Sequence, residues 1–434
     1  MPKGKRKGKF EHRRTEEKIY SSDEDAGIDM TIDNCSETSG QSDLKSAHDD
    51  AENEQEKLEE KVLEMIDALS ARSNAARAGA MVSLRNALQR RHLAAVLCNQ
   101  RATLADHLAK ALRRGRDGER RAAAGLAPLL ALQIGEEGVE EFVNEIRPEL
   151  AAAAADKSAS LETRTECCSS LAVLCYLLEE DLTEILEVMR MYETIFSGSY
   201  LKGDGSVKVS GCLLEAGALH AAALDGWALL LTLLAPEHAR ALLQAAAPSF
   251  RRLADLLQAC SLEVRLAAGT ALAIAHEHVT SAQDEEEPEL AELVAGLLPA
   301  LDQLARDSHK YRAKRDRKLQ RATFRDILKY FEDDESPSEA VRVGVETVRC
   351  AGWRAVAAYA ALAGALGAGL QALAPRVAPL RAALRLEAPP PGAPPAAAAR
   401  LTRLQRHLQN NAACKARTLA RNKNRDKRSA ALAL

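Results

Sequence analysis

A short pattern recurs five times along the chain: one basic residue followed by small residues on an apolar helical background. The basic residues are Arg77, Arg121, Arg164, His220 and Arg265, separated by steps of 44, 43, 56 and 45 residues. A period of about 40–47 residues is typical of HEAT and armadillo repeats, which are stacked helical hairpins. Each hairpin buries its apolar face only against the next, so the sequence predicts a solenoid with a long concave surface.

The one long step contains residues 197–209, a Gly- and Ser-rich insertion that we interpret as a loop between repeats. We expect each basic residue to cap or pair near the start of a helix. Aromatic residues make up only 3% of the chain, while Ala and Leu are abundant, which favours helices over strands. The predicted fold class is therefore all-α: an armadillo/HEAT-like α-solenoid with a tethered basic C-terminal helix.

Composition divides the chain into five segments. Residues 1–52 form a basic and then acidic tail with too few apolar side chains to fold alone, and we predict that it is disordered. Residues 53–345 hold the armadillo/HEAT-like repeats, and residues 346–387 form an Ala-rich helical segment. Residues 388–399 include APPPGAPP, a stiff Pro-rich linker. Residues 400–434 form the basic helix, which this linker would hold away from the solenoid.

The basic segment Arg400–Arg428 carries ten Lys or Arg residues and one acid. It contains no Gly or Pro, so it can form one helix, and apolar residues from Leu401 to Ala412 recur on one face. A cationic rod of this kind neutralises phosphates and releases their counterions. A solvated basic tail and a helix for a membrane surface or a calmodulin-like partner are the alternatives. The apolar face argues against a purely disordered tail, and the density of cations makes nucleic-acid binding the favoured interpretation.

A second basic stretch, Arg306–Arg325, contains Tyr311 among its cations. An aromatic side chain among arginines can stack on an unpaired base, although packing of Tyr311 against its own solenoid is equally consistent with the pattern. The candidate RNA-binding residues of the two stretches are Lys310, Tyr311, Arg312, Lys314, Arg315, Arg317, Lys318, Arg321, Arg325, Arg403, Arg406, His407, Lys415, Arg417, Arg421, Lys423, Arg425, Lys427 and Arg428.

No constellation of residues in the sequence suggests catalysis. The glycines of the 197–209 insertion lack the G-x-x-x-x-G-K-[ST] order of a phosphate loop. The triplet from His276 to His278 lacks metal-ligand spacing and is interpreted as a surface cluster at a helix end. The nine Cys residues include no C-x-x-C pair, which favours a reduced compartment. We therefore predict no enzymatic activity, no cofactor and no metal.

The span Ala355–Pro375 contains no charged residue and consists mainly of Ala and Gly. Because it is only weakly apolar, packed core helices are favoured over a transmembrane helix, and no membrane partner is expected. Trp227 and Trp353 lie in apolar helical surroundings. Both are interpreted as core anchors rather than as platforms for base stacking.

Two charge-rich stretches carry a family resemblance. They are DSHKYRAKRDRKLQRATFRDIL at Asp307–Leu328 and RLQRHLQNNAACKARTLARNKNRDKR at Arg403–Arg428. They resemble the interferon-related developmental regulator family, whose closing signature is similar to KART-x-AR-x-x-x-RDKR in this chain. The helical repeats resemble the armadillo-like body of the family more loosely. The likeness weakens from Cys350 to Ala399, and Cys414 stands where family members often carry Phe.

The resemblance implies a regulator without enzymatic activity. Members of the family are associated with translationally idle ribosomes, where the solenoid lies in the intersubunit space and the C-terminal helix enters the mRNA channel. It therefore implies a cytoplasmic partner, the ribosome, contacted through rRNA and ribosomal proteins of mainly the small subunit. Arg400–Arg428 would fill the mRNA path and Arg312–Arg325 would grip rRNA. Members are also described as nuclear co-regulators, so the alternative is a protein scaffold for transcriptional co-repressor complexes.

Overall fold

A computed structural model gives the fold of this chain. It describes residues 57–135, 138–245, 248–281, 288–307, 313–343 and 346–386, and near the C-terminus 411–412, 414–419 and 421–422. All of these residues belong to one compact unit, Glu56–Leu434. The predicted tail at 1–52 and the predicted linker at 388–399 lie outside the described residues.

The described part of the chain is mainly helical. Its α-helices are α1 (57–68), α2 (Asn74–Leu88), α3 (Ala94–Leu97), α4 (Arg101–Arg114), α5 (Asp117–Gln133), α6 (Val139–Ala155), α7 (Leu161–Leu178), α8 (Leu182–Phe196), α9 (Gly211–Glu215), α10 (Gly217–Leu231), α11 (Pro236–Ala245), α12 (Phe250–Asp255), α13 (Leu262–Thr280), α14 (Pro288–Arg306), α15 (Lys314–Asp333), α16 (Trp353–Leu366), α17 (Gly369–Leu373) and α18 (Ala378–Ala383). Two strands, β1 (Ser338–Val343) and β2 (Glu346–Ala351), precede α16. Residues 411–412, 414–419 and 421–422 are also helical and are called the C-terminal helical segment below.

The long helices stack in two rows. In the first row, α5 packs between α2 and α7, and α10 packs between α7 and α13. The second row contains α4, α6 and α8, which pack against α5, α7 and α10 respectively. Leu130, Leu174, Leu230 and Leu272 are fully buried in the first row. The all-α solenoid predicted from the repeat spacing is confirmed by this arrangement.

The recurring basic residue has a fixed place in the first row, because it is always the fourth residue of its helix. The place is held by Arg77, Arg120, Arg164, His220 and Arg265 in α2, α5, α7, α10 and α13. The prediction of Arg121 for α5 is wrong by one position. Arg121 is exposed, whereas Arg120 is half-buried and makes the contacts that the pattern requires.

These side chains fasten the turn that precedes their own helix. Arg77 Nη1 donates to the carbonyl oxygen of Ala71 at 2.8 Å, and Arg265 Nη1 donates to that of Ala259 at 2.7 Å. Carbonyl groups at the end of a helix or turn need such partners when they are shielded from water. The expectation that the basic residue pairs near a helix start is confirmed at these positions.

Ion pairs also join one hairpin to the next. Arg77 Nε lies 2.6 Å from Glu119 Oε1, and Arg120 Nη1 lies 2.6 Å from Asp156 Oδ2. Hydrogen bonds from Ser158 and from Arg120 lower the pKa of the Asp156 carboxyl to about 2. The repeat therefore combines apolar burial with charge-assisted hydrogen bonds between neighbouring hairpins.

The insertion between the third and fourth repeats is a loop, as predicted. It begins with the 3-10 turn Ser197–Ser199 and continues without helix to α9. His220 Nδ1 of α10 lies 2.6 Å from Ser199 Oγ, which ties the start of the loop to the first row. Val209, near its end, is 75% exposed.

An antiparallel hairpin interrupts the helices, contrary to the all-helical expectation for this part of the chain. β1 and β2 pair in register from Ser338 opposite Ala351 to Val343 opposite Glu346. Val343 and Val348 are buried on one side of the hairpin. Gly352, with φ of +90°, then turns the chain into α16 through a backbone conformation that other residues rarely adopt.

Helix α16 lies across the first row instead of extending it. It packs against α13, α7, α5 and α10 in one continuous contact. Its first backbone N–H groups, those of Trp353 and Arg354, donate to the Glu277 carboxylate of α13. Near its other end, Arg85 Nη2 of α2 and Nε2 of Gln89, the residue after α2, donate to carbonyl oxygens of α16. The surface that a solenoid would offer to a partner is thus partly covered by the chain itself.

The uncharged span Ala355–Pro375 forms most of α16 and all of α17. Among the described helices, none combines the length and the apolar character that a membrane span requires. Trp227 and Trp353 are buried, as predicted for core anchors.

Candidate nucleic-acid interface

Helix α15 carries the first group of predicted RNA-binding side chains. It runs for 20 residues without Gly or Pro, and Gln320, Phe324, Ile327 and Tyr330 are buried along it. Steps of four and three residues place these side chains on one face of a helix. One face of α15 is therefore held in the core, which leaves the opposite face to solvent.

Contacts with α13 fix the position of α15. Phe324 and Ile327 pack over Gly269, where an added Cβ would lie 2.8 Å from an atom of either side chain. Gln320 Oε1 accepts a hydrogen bond from Arg265 Nη2 at 3.0 Å. Its Nε2 donates to Asp307 Oδ2 at 3.1 Å. The basic helix is thus attached through the fourth-position arginine of the last first-row helix.

The solvent face of α15 is cationic. Lys314, Arg315, Lys318 and Arg325 are exposed, and the predicted residues Arg317 and Arg321 are half-buried. A rise of 1.5 Å per residue spreads Lys314 to Arg325 over about 16 Å. A rigid rod of cations of this length can contact several phosphates of one strand.

Other predicted residues cannot be placed. Lys310, Tyr311, Arg312, Arg403, Arg406, His407, Lys423, Arg425, Lys427 and Arg428 lie outside the described residues. Whether Tyr311 stacks on a base or packs against the solenoid therefore stays a prediction.

The C-terminal helical segment carries the second group. Lys415, Arg417 and Arg421 are exposed on it. Ala412, from the predicted apolar face, is only 3% exposed. The Lys415 ammonium lies 3.3 Å from the carboxylate of Asp67, a residue of α1. The structure therefore places this segment against the solenoid, and the expectation that it is held away is wrong for residues 411–412 and 414–419.

A cleft of about 500 Å³ lies between the segment and helices α1 and α4. Cys414 and Leu419 line one side, and Ile66 and His107 line the other. Burial lowers the pKa of His107; the neighbouring Asp106 carboxylate opposes this shift, and the cations Lys110, Lys415 and Arg77 reinforce it. An ion pair as exposed as that of Lys415 contributes only about 0–1 kcal/mol. The Lys415–Asp67 pair therefore adds little to the docking of this segment.

Comparison with known proteins agrees with the sequence resemblance. The profile described as "Interferon-related developmental regulator (IFRD)" matches residues 34–332, and "Interferon-related protein conserved region" matches residues 380–429. The chain belongs to the interferon-related developmental regulator family.

Interferon-related developmental regulator 1 of Sus scrofa is 35% identical over 417 residues, which cover 94% of this chain and 90% of that protein. The Homo sapiens protein of that name is 34% identical with the same coverage. Interferon-related developmental regulator 2 of Mus musculus is 35% identical over 383 residues, 88% of this chain and 85% of that protein.

The family profiles include both groups of described cations. α15 lies in the first matched region, and the C-terminal helical segment lies in the second. Residues 333–379 fall between the two, and they form the hairpin, α16 and α17. The part of the chain that covers the first row is therefore the part that neither family profile matches.

The triplet from His276 to His278 is not the surface cluster that we expected. His276 Nδ1 lies 2.8 Å from the Tyr330 hydroxyl, and His278 Nε2 lies 2.9 Å from the Leu234 carbonyl oxygen. Glu277 caps α16, so each member has a separate structural contact. Within the described ranges, no group of three or more His, Cys, Asp or Glu side chains could hold a metal ion.

Proposed function

We propose that this family member binds ribosomes through their RNA and represses translation. Arg400–Arg428 would occupy the mRNA path of idle ribosomes, as in a hibernation-type factor, while Arg312–Arg325 would grip rRNA. The partners would be rRNA and ribosomal proteins, mainly of the small subunit and the intersubunit space. The proposal places the protein in the cytoplasm, with a nuclear role as the alternative.

The observation that carries the proposal is that α15 has one face buried in the core and an opposite face lined with exposed cations. Its buried face is fixed by Gln320, Phe324 and Ile327, so the helix that carries the exposed cations is held in place before any partner arrives. A pre-ordered backbone loses less entropy on binding. The resemblance to family members that associate with translationally idle ribosomes supports the same direction.

The docked C-terminal helical segment is compatible with this role. Its described contact with the solenoid includes the exposed Lys415–Asp67 pair and the buried Ala412. A surface pair of this kind is weak and screened by salt. We infer that rRNA or the mRNA path could compete for the same side chains, because phosphates are stronger partners for a row of cations.

The alternative, a scaffold for transcriptional co-repressor complexes, would use the concave surface of the solenoid. Helix α16 packs against four helices of the first row, so part of the surface that those helices could offer to a partner is already covered. The exposed cations of α15 have no obvious use in such a scaffold. Both points count in favour of RNA as the partner.

Cosedimentation with purified idle ribosomes tests the proposal. Replacing Lys314, Arg315, Lys318 and Arg325 with Ala should weaken binding and make it less sensitive to salt, since each phosphate contact contributes about 0.7 to the salt slope. In the wild-type protein these four contacts account for about a fifty-fold loss of affinity between 50 and 200 mM salt, and the variant should lack this part of the salt dependence. The matched control replaces four other exposed cations with Ala, namely Arg114, Lys157, Arg190 and Lys202.

A second variant that lacks residues 400–434 should lose stable association while its solenoid stays folded. If the truncated protein still cosediments fully at physiological salt, the terminal helix is not the anchor. If the α15 variant and its control lose equal affinity, RNA recognition by α15 is refuted. Association of the wild-type protein with chromatin complexes but not with ribosomes would support the scaffold instead.

A further inference from the structure

A small cavity lies where β2, α16 and α18 meet the ends of α7 and α10. Its volume is about 120 Å³, and Arg349, Arg354 and Arg385 all line it. The described side chains that line it include no carboxylate. These arginines come from β2, from α16 and from the turn after α18, and they lie outside both basic stretches, so sequence spacing gave no signal for them.

Two of the three guanidinium groups lack a counterion in the described part of the chain. Arg349 and Arg385 are exposed, and neither guanidinium group forms a hydrogen bond or an ion pair with a described residue. Arg354 is partly compensated, because its Nε lies 3.5 Å from Glu277 Oε2 and its Nη1 lies 3.0 Å from His278 Nδ1. The cavity therefore has an excess of positive charge.

Hydroxyl groups complete the lining. Tyr176 of α7 and Tyr359 of α16 both border the cavity, and neither hydroxyl has a hydrogen-bond partner among the described residues. Burial raises the pKa of Tyr176, while Arg385 and Arg354 act in the opposite direction. The positive charge of these arginines thus reaches the hydroxyl, which can donate a hydrogen bond to an anion beside them.

The backbone of Arg385 adds a further observation. Arg385 follows the end of α18 with φ of +54°, in the left-handed region. Gly or Asn is usual at such a position, and another residue there costs of order 1 kcal/mol or more. The chain keeps an arginine at a strained position, where its guanidinium borders the cavity.

The geometry points to a phosphate-binding site at this junction, which takes one phosphate group of an RNA backbone. Pockets for whole small molecules have about 300–1,000 Å³, whereas this cavity has room for about four water molecules. Three guanidinium groups and two hydroxyls match the oxygens of one phosphate. The inference rests on the proposed function, in that RNA is taken as the source of the phosphate.

The position of the cavity favours RNA over a free ion. Trp353, the neighbour of Arg354, contacts Tyr330 of α15 with ring centroids 6.2 Å apart. Tyr330 is five residues from Arg325, about 7.5 Å along the helix. The cavity is therefore linked to the C-terminal half of α15 through the Trp353–Tyr330 contact, and one RNA strand along both is the source of phosphate that we propose.

The experiment uses the full-length protein and the double variant R349A/R385A. The control R114A/R190A removes two exposed arginines elsewhere. The first measurement is binding of inorganic phosphate by ³¹P line broadening at constant ionic strength. We expect at least a tenfold loss of affinity in R349A/R385A and no change in the control. If R349A/R385A binds inorganic phosphate with the same affinity as the wild-type protein, the proposed site is overturned.

The second measurement is binding of a 20-nucleotide oligouridylate across a salt series. One lost phosphate contact should lower the salt slope by about 0.7 in R349A/R385A, but not in R114A/R190A. Equal decreases in both variants would show a general charge effect and overturn the inference. Loss of phosphate binding with an unchanged RNA slope would refute RNA as the source and assign the site to free phosphate.

The two proposals fail in different ways. If the wild-type protein binds neither ribosomes nor oligouridylate, the proposed function fails, while the inorganic phosphate measurement still decides whether the cavity binds an anion. If a phosphoserine peptide displaces oligouridylate at lower concentration than phosphate does, the source is a protein and RNA is refuted.

Discussion

Glu277→Ala should release the start of α16 from the first row. The Glu277 carboxylate accepts the backbone N–H groups of Trp353 at 3.2 Å and of Arg354 at 2.8 Å. The first N–H groups of a helix have no partner within the helix, so they depend on a side chain or on water. Here the side chain comes from α13, 76 residues earlier in the chain.

The magnitude follows from the contacts and their exposure. Loss of a helix N-cap costs about 0.5–2 kcal/mol, and a hydrogen bond to a charged group contributes about 1.5–3 kcal/mol. The Glu277 and Arg354 side chains are 18% and 28% exposed, so water screens part of the interaction. We expect about 2 kcal/mol of local stability to be lost. Glu277→Gln keeps one acceptor oxygen and should lose about half of that.

Hydrogen exchange of peptides that cover Trp353–Leu366 measures this loss. A change of about 2 kcal/mol corresponds to about thirty-fold faster exchange, because each 1.36 kcal/mol is tenfold. The control is Glu162→Ala, which removes an exposed carboxylate from the first turn of α7 and should change exchange there only slightly. Unchanged exchange in Trp353–Leu366 of Glu277→Ala would refute the capping role. Equal acceleration in every first-row helix would show global destabilisation instead.

Three further predictions concern packing, charge and thiol chemistry. Gly269→Ala should destabilise the fold by about 1–3 kcal/mol, since the new Cβ would lie 2.8 Å from Ile327 Cδ1; an unchanged denaturant midpoint would contradict this. The lowered pKa of Asp156, about 2, means that its stabilisation is present above pH ~4 and is lost as pH falls towards 2. Asp156→Asn should therefore be less stable than wild type at pH 7 and equal to it near pH 2, and a constant difference would disprove the assignment. Burial raises the pKa of Cys175 to about 12, so iodoacetamide at pH 8 should alkylate the exposed Cys414 far sooner, as mass spectrometry can follow.

Much of the fold could be predicted from the sequence, because the repeat signal is local and periodic. The fourth-position arginine marks the start of each first-row helix. Spacing could not choose between Arg120 and Arg121, since the choice depends on which side chain faces Asp156 in the next hairpin. The hairpin was missed although Val341, Val343 and Val348 alternate with polar residues. That signal covers only two short strands beside a long helical pattern, and alternation over so few residues is ambiguous.

The candidate site could be predicted only in part. Charge density identified the cations of α15, and the period of its apolar residues separates its two faces. Docking of Lys415 beside Asp67 could not be predicted, because the two residues are 348 positions apart. The same holds for Arg349 and Arg385, which only the tertiary fold brings to one cavity.

Helix α16 changes how the repeats depend on one another. In a simple solenoid each hairpin contacts only its neighbours, so the ends can unravel one repeat at a time. Here Arg85 of α2 bonds to the Ala365 carbonyl, 280 positions away, while Glu277 of α13 holds the other end of the same helix. Opening either end of the array therefore requires α16 to detach as well. The repeats that α16 spans should unfold as one cooperative unit, and the array should resist stepwise fraying that unbraced repeats undergo.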